Sequence, residues 1–164
     1  MTGTGEVTVR LAEDADFAAL ASVVAEPEVL EWWGPHDEER LRTDARDEDV
    51  IVWTVLRDGE IAGLVQVTQE LEPDYRNAEI DLFVHPPGQG IGSRALRAVI
   101  EILIDDYGHR RLLIAPSVGN ARAIRCYESV GFRRVGVVRE AFRLHGVWHD
   151  DLLMEMLTRE YERA

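Results

Sequence analysis

Apolar and polar residues alternate at the start of the chain, with Val7, Val9 and Leu11 on one side, the period-two pattern of a half-buried strand. After Asp14, a residue suited to capping, Phe17, Leu20 and Val24 recur at helical spacing. Residues 50–56 and 61–67 form two strand-like runs around Arg57-Asp58-Gly59-Glu60, and the Asp-Gly pair predicts a tight hairpin. Residues 78–84 form a third run of strand type. Leu96, Val99, Ile100, Leu103, Ile104 and Tyr107 then make one apolar stripe, which predicts a long helix packed on a sheet. Residues 111–115 read as a short buried strand. Asn120 can cap a further helix and Gly131 can end it in a left-handed conformation. Residues 132–138 and 147–157 close the sheet. The order is strand, helix, helix, two strands, strand, helix, strand, helix, strand, strand, which predicts an α/β sheet with helices on both faces.

Composition narrows the class. A chain of 164 residues is one domain by size, with neither internal repeat nor linker. No apolar run approaches the roughly 18 residues of a membrane span, and the first residues lack the basic-then-apolar pattern of a signal peptide. The single cysteine, Cys126, excludes an internal disulfide and fits a reducing compartment, so a cytoplasmic location is expected. The net charge of −13 disfavours nucleic acid and anionic membrane as partners and draws in cations.

Two segments carry the chemistry. Glu79-Ile80-Asp81-Leu82-Phe83-Val84-His85-Pro86-Pro87-Gly88-Gln89-Gly90-Ile91-Gly92-Ser93-Arg94 runs from a strand through a glycine loop into the long helix. Glycines allow close backbone approach, and the helix start offers unpaired N–H groups to an anion such as phosphate. The loop lacks the lysine and serine or threonine of a P-loop, and no strand ending in an acidic residue follows as in a dinucleotide fold. About thirty residues later comes Ser117-Val118-Gly119-Asn120-Ala121-Arg122-Ala123-Ile124-Arg125-Cys126-Tyr127-Glu128-Ser129-Val130-Gly131-Phe132. Together the two segments resemble the acyl-CoA-binding core of the GNAT N-acetyltransferase superfamily, and the likeness spans nearly the whole of residues 1–164.

That resemblance implies a single-domain GNAT fold, a mixed, mostly antiparallel twisted sheet with a splayed central strand pair, and acetyl-CoA as co-substrate. It implies pyrophosphate on the amides of Gln89, Gly90, Ile91, Gly92 and Ser93, with Arg94 near the phosphates. Backbone groups of Leu82, Phe83 and Val84 would meet the pantetheine arm as a surrogate strand. Asn120 corresponds to the asparagine that bonds this arm, and Tyr127, on one helix face with Ala123, to the tyrosine near the sulfur. The family's loop usually has Arg or Gln where this chain has Pro87, and the segment after Val84 is about two residues short. Cys126 reads as a small buried hydrophobe.

Acetyl transfer to an amine needs a neutral amine, a polarised carbonyl and a proton for the leaving thiolate. The chain has no Ser-His-Asp or Cys-His signature, so direct attack is the simplest route. Tyr127 is the candidate acid. Glu79 and Asp81, at i and i+2, share one sheet face, and either could serve as base while the other attracts the ammonium. Ile80-Asp81-Leu82-Phe83 resembles the strand of aminoglycoside 6′-N-acetyltransferases, whose aspartate acts as base or amine anchor. Val29-Leu30-Glu31-Trp32-Trp33-Gly34 resembles their substrate loop, and Arg122 to Glu128 matches theirs. Trp32 and Trp33, between Glu31 and Asp37-Glu38-Glu39, would offer stacking faces and carboxylates to an aminosugar. Toward the end, Arg139-Glu140-Ala141-Phe142 and His145-Gly146-Val147-Trp148-His149-Asp150-Asp151 resemble GNAT enzymes that acetylate ribosomal-protein N-termini. The four-residue spacing of His145 and His149 across a glycine turn is poor geometry for a metal; no metal is expected, and Asp150 or Asp151 would add charge to the acceptor cleft. The reading is an N-acetyltransferase acting on a small cationic amine, an aminoglycoside first. Protein N-termini or polyamines, and a catalytically silent acyl-CoA-binding domain, are the alternatives. By analogy with relatives, the C-terminal strand edges could pair two copies as a homodimer.

Overall fold

The opening alternation forms β1 (Val7–Leu11), followed by three helices, α1 (Phe17–Val24), α2 (Pro27–Trp33) and α3 (Glu38–Asp44), in a computed structural model that describes residues 5–164. The pattern predicts only two helices here, and the resemblance implies a substrate loop at Val29 to Gly34. Instead, Pro27 opens α2, where its fixed φ suits a first helical turn, and Gly34 ends it at a φ of 72°. α3 begins where the Asp37 carboxylate accepts the Arg40 N–H at 2.8 Å. Each helix has seven residues, too few to show a 3.6-residue repeat or to be stable without tertiary contacts.

The rest follows the predicted order. β2 (Val50–Arg57) and β3 (Glu60–Glu70) form the hairpin, and Asp58 and Gly59 take φ values of 51° and 84°, as a two-residue hairpin turn requires. β4 (Asn77–Val84), α4 (Ile91–Asp105), β5 (Arg111–Ile114), α5 (Ala121–Val130) and the hairpin β6 (Arg133–Leu144) and β7 (Val147–Leu157) complete the chain. The seven strands lie in the order β1-β2-β3-β4-β5-β7-β6, antiparallel except for β4 and β5. No described helix is long and apolar enough to cross a membrane.

Alternation along the strands divides the core in two. Val55, Val65, Val67, Ile80 and Leu112 pack with α4 and α5, whereas Val52, Leu64 and Phe83 pack with Leu20, Val29 and Leu41 of α1, α2 and α3. Glu79 and Asp81 share Phe83's parity, so they rise on the face that carries α2.

The sheet opens between β4 and β5. Only Ala78, Glu79 and Ile80 pair with β5, at Leu112, Leu113 and Ile114, although β4 runs on to Val84. Beyond Ile114 the chain turns to β7 instead: the Pro116 carbonyl accepts the Leu152 N–H at 2.8 Å, and Val118 donates to the Asp150 carbonyl at 3.0 Å. Pro116 itself has no N–H with which to continue the β4 ladder. Four residues of β4 therefore face a gap on one edge.

Asp16 anchors the α1 side. Its buried carboxylate accepts from Arg10 at 2.6 and 2.8 Å, from Thr54 at 2.8 Å and from the Glu13 N–H at 2.8 Å. The Arg10 guanidinium is the main reason its carboxyl sits down at about 2. Asp16→Ala is expected to cost about 3 kcal/mol in urea unfolding at pH 7, the low end for breaking a buried pair because Arg10 is part-exposed. Since this carboxyl is depressed in the folded state, the wild-type advantage is present above the ordinary carboxylate range and fades as pH falls toward 2.

Candidate active site

The gap beside β4 continues into a cleft of about 770 Å³ bounded by α2, α4 and α5, with Phe142 of β6 and Asp151 of β7 on its rim. The backbone direction of β4 decides what faces it. His85 donates to the Ala62 carbonyl at 2.8 Å, and a Cβ on Gly63 would meet the Phe83 carbonyl at 2.1 Å. Phe83 and His85 thus point their backbone groups at β3, while Leu82 and Val84 point theirs into the gap. This corrects the sequence reading of Phe83 as a backbone partner of the pantetheine arm. Its main chain is turned to β3 and its ring is buried against Trp33, 4.7 Å between centroids.

Trp33 has a structural task as well. Its indole N–H donates to the Leu82 carbonyl at 3.2 Å, so it satisfies one backbone group on the open edge while lining the cleft. Trp32, like Trp33, is half-buried. It lines the cleft from α2, and its six-membered ring lies 3.5 Å from where a Cβ on Gly119 would stand, on the opposite wall. Two of the acidic neighbours expected to reach the acceptor are occupied elsewhere. Asp37 caps α3, and Glu38 pairs with Arg42 at 2.6 Å.

Three carboxylates gather at this end of the cleft: Glu79, Asp81 and Asp151. Asp81 reaches solvent through the cleft mouth yet is surrounded by protein. Desolvation, then the charges of Glu79 and Asp151, push its carboxyl up to about 6. Asp151 is also pushed up to about 6, by desolvation and then by Glu79, and its Oδ1 is buried without a hydrogen-bond partner. Asp150 has a structural task, accepting the Glu140 N–H at 2.8 Å across a β-bulge where Glu140 has a φ of 49°. His149 stacks on Phe142 at 5.3 Å, and His145 sits in the hairpin turn with a φ of 50°. Another His and acid group, Glu26, Glu28 and His85, joins α2 to the end of β4 through contacts of 3.9 and 3.6 Å.

At the other end the loop after β4 passes through a cis His85–Pro86 bond and two left-handed glycines, Gly88 and Gly90, to the start of α4. The first hydrogen bond of this helix runs from the Arg94 N–H to the Gly90 carbonyl, which leaves the amides of Ile91, Gly92 and Ser93 without helical partners. All three residues line the cleft; Gln89 does not. Arg94 is likewise turned away. Its guanidinium donates to the carbonyls of Gly5, Gln89 and Gly90, clipping the loop rather than facing an anion. The cations on this part of the cleft are Arg122 and Arg125, one turn apart on α5. Both belong to the second sequence segment, but composition alone gave no reason to separate them from the other arginines.

Asn120 caps α5, accepting the Ala123 N–H at 3.2 Å through Oδ1; its amide nitrogen remains for a ligand. Asn120, Ala123 and Tyr127 line the cleft together. The Tyr127 ring is buried against Phe132. Desolvation, followed by Cys126 and Asp81, raises its phenol well above the ordinary range, so it holds its proton at neutral pH. Cys126 packs against Gly92, and burial pushes its thiol up, the opposite of an activated nucleophile.

A sheet split beside a glycine loop at a helix start can hold an extended ligand along the free strand edge and its anionic group at the helix amides. The family model of the acetyltransferase (GNAT) domain matches residues 6–133, and the chain belongs to this family of acetyl-CoA-dependent N-acetyltransferases. It is similar to aminoglycoside N(6′)-acetyltransferase type 1 of Klebsiella pneumoniae, 29% identical over 154 residues that cover 80% of this chain and 76% of that protein. It is 27% identical over 172 residues to the putative ribosomal N-acetyltransferase YdaF of Bacillus subtilis, covering 95% and 93%. The crystal structure of aminoglycoside acetyltransferase AAC(6′)-Ib in complex with coenzyme A matches with a TM-score of 0.80 and 27% identity, over 97% of this chain and 99% of that one.

Proposed function

We propose that this acetyltransferase acts on a primary amine of an aminoglycoside, with acetyl-CoA laid along the glycine loop and the open edge of β4. The carrying observation is the group of Glu79, Asp81 and Asp151 beside that edge, in a cleft that Trp32 also lines. A polycationic aminosugar suits such a site, since carboxylates hold ammonium groups and an aromatic face covers the ring. Asp81, pushed up to about 6, is matched to accept a proton near neutral pH. In the reaction the amine nitrogen bonds to the acetyl carbon, the carbon–sulfur bond breaks, the amine proton passes to Asp81, and Tyr127 donates to the departing sulfur. The N–H groups on the open edge of β4 polarise the carbonyl.

The glycine loop provides a separate check on the coenzyme end. Gly90 has a φ of 70°, and a hypothetical Cβ there would make ordinary contacts of 3.9 Å with the Arg94 and Ser93 side chains, so Gly90→Val strains the loop backbone and places methyl groups beside the helix-start amides. Calorimetry is expected to show coenzyme affinity lowered about tenfold or more, on the scale of a lost charge-assisted hydrogen bond. Unchanged affinity in a folded variant would contradict this placement.

The acceptor is tested by measuring thiol release from acetyl-CoA with a panel of aminoglycosides, spermidine and N-terminal peptides. The highest kcat/KM is expected with an aminoglycoside. Efficient turnover of peptides with no aminoglycoside turnover at millimolar concentration would transfer the assignment to protein N-termini, the class that the likeness to YdaF over 95% of the chain favours.

A further inference from the structure

Charge is divided unevenly along the cleft. Glu79, Asp81 and Asp151 stand at the acceptor end, whereas Arg122 and Arg125 are the only arginines among its lining residues. The chain has no lysine, and its eighteen basic residues are all arginine against 31 acidic ones. A protein of net charge −13 repels an anionic coenzyme at long range, so the few cations facing the cleft weigh heavily.

Helical geometry separates two tasks on α5. Asn120, Ala123 and Tyr127 fall on one stripe, toward the open edge of β4. Arg122, Arg125 and Ser129 fall on the next stripe and also line the cleft; the end of α5 is tied to α4 where the Ser129 carbonyl accepts from Arg97 at 2.9 Å. Nearby arginines are committed, Arg94 and Arg97 to backbone carbonyls and Arg134 to Glu128 at 2.6 Å. Arg122 and Arg125 are exposed and make no ion pair or side-chain hydrogen bond among the described residues.

We infer that Arg122 and Arg125 recognise the phosphate monoester on the ribose of coenzyme A and make the enzyme select acetyl-CoA over its dephospho form. This rests on the coenzyme placement proposed above. With the diphosphate on the neutral amides of Ile91, Gly92 and Ser93, and the pantetheine arm along β4, the nucleotide end leaves the cleft past the outer stripe of α5. The monoester is the remaining charged group, close to two negative charges at neutral pH. Two guanidinium forks one turn apart match a three-oxygen anion.

The test compares binding of coenzyme A and 3′-dephospho-coenzyme A by calorimetry, for the wild type and for Arg122→Gln, Arg125→Gln and the double variant. Glutamine preserves helix propensity and length, and circular dichroism checks the fold. The wild type is expected to prefer coenzyme A by about tenfold or more, the scale of two partly exposed charge-assisted contacts. The double variant is expected to bind both ligands with the affinity the wild type shows for the dephospho form. Raising salt should erode the wild-type preference. Equal wild-type affinities, a preference that survives in the double variant, or equal weakening of both ligands would each overturn the inference while leaving the coenzyme site intact. Failure of the wild type to bind either ligand would instead overturn the coenzyme placement itself.

Discussion

Asp81→Asn is expected to lower kcat/KM for the amine by about 10²-fold or more, the usual scale for loss of a general base. The change is nearly isosteric and removes only the ability to take the amine proton and to hold its positive charge. Acetyl-CoA affinity should stay within about twofold, because the carboxyl is directed at the acceptor end. The pH profile gives a second signature. The base must be ionised, so wild-type kcat/KM should rise with pH through an apparent pKa near 6, where both Asp81 and Asp151 titrate, and the limb belongs to the coupled pair. Stability should move the other way. A carboxyl raised from 3.8 to about 6 on folding binds more protons in the native than in the unfolded state between those values. Wild-type stability therefore falls as pH rises through that window. Asparagine carries no such penalty, so the variant should melt higher than the wild type above pH 6, with the gap closing below pH 4. An inactive variant with lowered stability at every pH would assign Asp81 to packing, and a variant with full activity would pass the role of base to Glu79.

Tyr127→Phe is expected to lower kcat by about 10²-fold while the Kd of acetyl-CoA changes little, since the contact strengthens only as charge develops on sulfur. The ring packs against Phe132 and is retained in the variant, so the fold should persist. The loss should fall at the low end for a general acid, because a thiolate is a far better leaving group than an alkoxide or amide anion. An acetyl thioester analogue with a more acidic thiol should recover much of the rate, since a better leaving group needs the proton less. A drop in coenzyme affinity with kcat preserved would show that Tyr127 shapes the binding wall only.

Local chemistry explains which features could be read directly. The glycine loop, the long amphipathic α4 and the Asp58-Gly59 turn were legible because each depends on residues within a few positions: steric permission at glycine, a 3.6-residue stripe, and positive φ at a two-residue turn. The shared face of Glu79 and Asp81 follows from the two-residue period of a strand. α2 and α3 were not legible as a helix pair, because seven-residue helices draw their stability from docking on the β2-β3-β4 face.

The chain's order of residues thus determined, by itself, the α/β class, the acyl-CoA motif pair and the carboxylates available to an amine. Tertiary structure decided how they are used. Whether Phe83 or its neighbours offer backbone groups to the gap depends on the β3 register, and the gap exists because the chain after Ile114 pairs with β7. Whether Arg94 or Arg122 and Arg125 face the cleft depends on how α4 and α5 pack: the Arg94 fork is consumed by three carbonyls, one of them at Gly5, 89 positions away. Trp33 is bound to Leu82 across 49 positions. Asp151 rather than Asp150 faces the cleft because a bulge at Glu140 engages Asp150. These choices rest on contacts between residues far apart in sequence, which local periodicity and spacing do not encode.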